Sequence, residues 1–140
     1  MDRAPVIIEV GRPALSPLGH QPRIAIIVER DPDLRSTLTE YLLSQELQVL
    51  ALSTTPPPDE LLRLQPDLLV LDLLCDGQPL PVDTLRQLRG TLTAAPIVAM
   101  SANSHHLESY EKEITSLVSA VLIKPFDLDC FDTAAGLSSA

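Results

Sequence analysis

A chain of 140 residues with 45% apolar content is expected to form one domain with a single core, with no room for a second catalytic or DNA-binding domain. Its net charge of -9, with only ten Lys and Arg, argues against nucleic acid, whose phosphates call for clustered basic residues, and favours protein partners. No apolar run approaches the ~20 residues of a membrane span, the N-terminus lacks a signal-peptide block, and Cys75 and Cys130 form no metal-spaced pair, so a cytoplasmic protein with reduced thiols and no membrane partner is expected.

Residues 1–22 carry Pro5, Pro13, Pro17 and Pro22 and read as a flexible N-terminal extension, with the domain running over 23–140. Inside the extension, Val6-Ile7-Ile8-Glu9-Val10 is apolar enough either to add a strand or to dock on a partner. Ile24 to Val28 is a buried strand by its unbroken aliphatic run. Asp31-Pro32-Asp33 then offers an N-cap and a proline in the first turn, which predicts a helix with Leu34, Leu38, Tyr41 and Leu42 on one face.

Leu47 to Leu52 is the second predicted strand, and Pro56-Pro57-Pro58 ends it before Asp59 and Glu60 open a short helix through Leu64. Leu68 to Leu71 is the third strand and delivers Asp72 at its carboxyl end. Asp76-Gly77-Gln78-Pro79 is a loop, Val82 to Arg89 a helix ended by Gly90, and Ile97 to Met100 the fourth strand, ending at Ser101. A helix around Leu107 to Leu117 leads to the fifth strand, Val121 to Ile123. Lys124-Pro125-Phe126 closes it, and Asp127 caps a short last helix.

Five aliphatic strands alternating with helices predict an α/β domain built on a doubly wound parallel sheet, with Ile26, Val28, Leu69, Leu71, Val98 and Leu122 in its core. A ligand site in such a sheet lies outside the carboxyl ends of the strands. Glu29 to Asp31, Asp72, Ser101 and Lys124 all fall there.

Four segments, Val28-Glu29-Arg30-Asp31-Pro32, Pro66-Asp67-Leu68-Leu69-Val70-Leu71-Asp72, Met100-Ser101-Ala102 and Ile123-Lys124-Pro125-Phe126, occur in order on these strand ends. Together they resemble the receiver domains of two-component response regulators, over about Arg23 to Ala135. The resemblance implies a flavodoxin-like sheet of five parallel strands in the order 2-1-3-4-5. It also implies that Asp72 accepts a phosphoryl group from a histidine kinase, a phosphotransfer protein or a small phosphodonor. Such an aspartate must be positioned in line with the donor, and cations must offset the transferred charge. Lys124 would supply one cation and Ser101 a hydrogen bond to the phosphoryl group. The Lys124–Pro125 bond is typically cis in this family, which would aim the lysine inward.

The pattern also departs from the family. Receivers place two adjacent carboxylates after the first strand to hold Mg²⁺, and here Glu29 is followed by Arg30. The metal ligands implied are Glu29, Asp72, the Leu74 carbonyl and, more weakly, Asp31, which is read first as a helix cap. Arg30 is expected within reach of Asp72, where a guanidinium could take the electrostatic place of Mg²⁺. Asp76 stands where the family has Pro, Val121 where many receivers carry a switching aromatic residue, and Leu117 replaces a Gly. His105-His106 reads as a solvated helix start.

Two functions follow. One is a phosphoacceptor switch, not an enzyme, that recognises a kinase and a downstream partner or a second copy of itself. The other is a degenerate receiver that acts by docking or dimerising without phosphorylation. A phosphatase with a nucleophilic Asp would need a second acid two residues on, where Leu74 stands.

Overall fold

The computed structural model describes residues 7–11, 23–75, 78–92, 94–102 and 113–137. Its elements are β1 (Ile7–Gly11), β2 (Ile24–Val28), α1 (Pro32–Ser44), β3 (Gln48–Leu52), α2 (Pro58–Leu64), β4 (Leu68–Asp72), β5 (Leu74–Cys75), β6 (Gln78–Pro79), α3 (Val82–Thr91), β7 (Ile97–Ser101), β8 (Ala120–Ile123) and α4 (Leu128–Ala135), with a helical stretch over 113–117.

The main sheet runs β1-β3-β2-β4-β7-β8. Its last five strands are all parallel and reproduce the predicted order 2-1-3-4-5. β1 adds a sixth strand, antiparallel to β3, with an irregularity in register between Ile7 and Glu9. The added strand is thus the alternative that the structure shows for the apolar run near the N-terminus, and the sheet begins before residue 23.

Strand alternation divides the core in two. Ile26, Val28, Leu69, Leu71, Ile97 and Ala99 face one side, packed with Leu61, Leu85, Leu88 and Ile114 from the helices. Ala25, Ile27, Val49, Val70, Val98 and Met100 face the other, against Leu38 and Leu42 of α1 and Phe131 and Ala135 of α4. Burial on both faces is why these strands read as unbroken aliphatic runs. Of the core residues predicted from sequence, Leu122 is only half-buried, because β8 lies at the edge of the sheet.

Two local expectations are corrected. Gly90 does not end α3, which continues to Thr91; Arg89 donates from Nη2 to the carbonyls of Leu92 and Ala95 and closes the helix end instead. The loop after Asp72 contains a small hairpin, in which β5 pairs with β6. As predicted, Leu34, Leu38, Tyr41 and Leu42 of α1 pack on one core cluster, and Arg35 and Thr39 are buried with them. Two caps are as predicted: Asp31 accepts from the Asp33 N–H on α1, and Asp127 accepts from the Cys130 N–H on α4. The helix start from Leu107, including His105 and His106, lies outside the described residues, as does Asp76. Among the described residues no helix is long and apolar enough to cross a membrane.

Candidate functional site

The register of the sheet brings the strand ends together. Val28 pairs with Leu71 across β2 and β4, so Glu29, one residue past β2, leaves the sheet beside Asp72, the last residue of β4. Asp72 in turn pairs with Met100, which places Ser101 at the next strand end. Lys124 follows β8 directly, and its backbone N–H donates to the Ser101 carbonyl at 2.8 Å. The Lys124–Pro125 peptide is cis.

Lys124 joins the two acids. Its Nζ stands 2.5 Å from Glu29 Oε1 and 3.3 Å from Asp72 Oδ2. The other Asp72 oxygen accepts the Leu74 N–H at 3.0 Å, and Glu29 Oε2 accepts the Asp31 N–H at 3.0 Å. All three strand-end acceptors, Glu29, Asp72 and Ser101, are buried. Burial pushes the Glu29 carboxyl above its ordinary range, with the Asp72 charge adding to it, against the opposing pull of Lys124 and the Asp31 N–H. Burial also works to lower the Lys124 ammonium, but its hydrogen bond to Glu29 and the charges of Glu29 and Asp72 outweigh that and raise it. The lysine is therefore a standing cation between two carboxylates.

Arg35 supports this arrangement and was not singled out in the sequence. It lies on the buried face of α1 and donates from Nη1 to the carbonyls of Glu29 and Arg30, at 2.8 and 3.1 Å. One guanidinium so pins the backbone on which the Glu29 side chain is mounted. The signal was present as a charged residue on the apolar face of a helix, at i, i+3 and i+7 with Leu38 and Leu42.

The predicted site residues separate into two groups. Glu29, Asp72, Ser101 and Lys124 come together, with Leu74 contributing its N–H. Asp31 is exposed and spends one carboxylate oxygen on its cap. Arg30 is exposed and lines a cleft with Val28, Glu29, Ser53, Thr54, Thr55, Asp72 and Leu74. The cation hydrogen-bonded to Asp72 among the described residues is Lys124, not Arg30. Ala102 is exposed beside Ser101, and Val121 is half-buried against the core.

These residues match part of the Mg²⁺ site that the resemblance implies, with Arg30 standing where its second adjacent acid would be. Mg²⁺ keeps several waters and is held by one or two carboxylates, and here Lys124 stands on one oxygen each of Glu29 and Asp72, so the ion would compete with the ammonium. Among the described residues no group of three or more His, Cys, Asp or Glu side chains could hold a metal. What the arrangement does offer is a buried carboxylate held in a fixed direction beside a fixed ammonium, which suits a nucleophile toward an electrophile carrying negative charge.

No family model matches the chain, and no curated protein matches it. Solved structures do. A response regulator from Burkholderia pseudomallei, seen with a phosphorylated aspartic acid, a calcium ion and citrate, superposes with a TM-score of 0.65 at 14% identity, over 81% of this chain and 66% of that one. A CheY-like receiver domain from Methylobacillus flagellatus gives 0.62 at 22% identity, over 81% and 95% of the two chains. The non-phosphorylated HemR receiver domain from Leptospira biflexa gives 0.60 at 24%, over 86% and 97%. With its five parallel strands in the order 2-1-3-4-5 and these neighbours, the chain has the fold of the response-regulator receiver domains.

Proposed function

We propose that the chain is a phosphoacceptor switch of a two-component relay, in which Asp72 takes a phosphoryl group from a histidine kinase, a phosphotransfer protein or a small acyl phosphate. The observation that carries this reading is the Asp72 carboxylate itself, buried at the end of a central strand, with one oxygen on the Leu74 N–H and the other on Lys124. Transfer forms a bond from an Asp72 carboxylate oxygen to phosphorus and breaks the bond to the donor's leaving group. Lys124 then faces the added charge, and Ser101, at the neighbouring strand end, hydrogen-bonds the phosphoryl oxygens. The output passes to a downstream protein or a second copy of the chain, inside the cell where such donors are found.

A second reading, a receiver that docks or dimerises without phosphorylation, is favoured by Arg30 in place of an acid and by Lys124 standing between the two carboxylates. Acetyl phosphate with Mg²⁺ or with chelator, followed by intact mass, separates the two. A switch gains one phosphoryl group, with little dependence on Mg²⁺, and Asp72→Asn gains none. A folded wild-type protein that stays unlabelled under both conditions supports the docking module.

A further inference from the structure

Lys124 is not shared equally between its two acids. Glu29 is nearer, at 2.5 against 3.3 Å, and its side chain is 1% exposed against 10% for Asp72. Glu29 Oε1 is buried, and among the described residues the Lys124 ammonium is what compensates it. A buried carboxylate that loses its counter-ion is left with an uncompensated charge, a heavier loss than the same event in water. Nor can Glu29 readily follow the lysine if it moves: Arg35 pins the Glu29 carbonyl, and the Glu29 N–H donates to Leu52 O at 3.0 Å.

We propose that Glu29 is a positioning residue that restrains Lys124, holding the ammonium back from a phosphoryl group on Asp72 and so limiting how readily Asp72 accepts one. This rests on the reading of Asp72 as phosphoacceptor. With an acyl phosphate, a carboxylate oxygen of Asp72 bonds to phosphorus, the bond from phosphorus to the acyl oxygen breaks, and the carboxylate leaves with the electron pair. No proton moves and the total charge is unchanged, but a dianionic group now stands where a single negative charge stood. Lys124 can turn fully to that group only by loosening its hold on Glu29. The chain therefore carries an internal competitor for its own catalytic cation, in the position where a metal ligand is expected.

Lys124 and Lys112 are the only lysines in the chain, which permits a direct test. Acylation of the intact protein with a limiting amine reagent, read by peptide mass as Lys124 relative to Lys112, reports the grip on Lys124 without any phosphorylation. Glu29→Gln raises that ratio by roughly ten-fold, and Asp72→Asn raises it less. Glu29→Asp, which keeps the charge but is one methylene shorter, falls between and serves if the amide variant does not fold. In acetyl phosphate with chelator, Glu29→Gln takes up phosphoryl groups faster than wild type by a similar factor. A larger acylation effect from Asp72→Asn than from Glu29→Gln overturns the proposal, as does slower or equal uptake by Glu29→Gln while wild type labels. Freed lysine in Glu29→Gln with no uptake in any folded variant sinks the phosphoacceptor reading, and the restraint on phosphorylation falls with it.

Discussion

Arg35 occupies a helix position that the apolar period of α1 assigns to the core, and its partners are two main-chain carbonyls at the end of β2. Replacing it with Leu keeps the bulk but leaves those acceptors without their donor. Arg35→Leu should therefore lose ~1–3 kcal/mol of stability in urea denaturation, and Arg35→Lys should recover part of it through a single donor. Equal stability of wild type and Arg35→Leu would mean that water satisfies the carbonyls. At this scale the sequence was legible where a residue acts on its immediate neighbours: the Asp31 and Asp127 caps were read correctly because each partner is two or three residues away. It was illegible where partners come from separate elements. Arg30, expected within reach of Asp72, lines the same cleft, while the hydrogen bond to the Asp72 carboxylate comes from Lys124, just past β8.

Elements whose ends are set by backbone chemistry were placed closely, and those closed by long side chains were not. Gly90 resembles a helix terminator, yet α3 runs past it because Arg89 satisfies the carbonyls beyond. A Cβ at Gly90 meets nothing within 4 Å, so Gly90→Ala should stabilise the fold by ~0.5–1 kcal/mol; destabilisation would place the helix end before it. The cap of α4 gives a pH prediction. The Cys130 N–H holds the Asp127 carboxyl below its ordinary 3.8. An acid whose folded value is lowered contributes stability above its unfolded value and loses it as pH falls through the folded one. The thermal midpoint of Asp127→Ala should thus lie below that of wild type at neutral pH. The gap should close as pH drops below 3.8 and through the lowered value; a gap that persists in strong acid would show that the carboxylate charge is not what stabilises the helix.

For the whole molecule, the parallel sheet was legible because strands buried on both faces leave unbroken aliphatic runs, and turn residues separate them at regular intervals. The sixth strand was harder to read: β1 precedes a proline-rich stretch, and its pairing with β3 joins segments about forty residues apart, with nothing local to choose a sheet edge over a partner. The site followed from the sheet, since Glu29, Asp72, Ser101 and Lys124 are strand-end residues and strand order alone gathers them. What strand order could not show is that Lys124 stands on both acids at once, 2.5 Å from Glu29 and 3.3 Å from Asp72. The proposed acceptor, Asp72, can be read directly. Borohydride reduces an aspartyl phosphate to homoserine, so peptide mass mapping after acetyl phosphate and borohydride treatment reads the modified position directly. The account predicts homoserine at position 72 and at no other acid; reduction at a different residue, or none in folded protein, would contradict it.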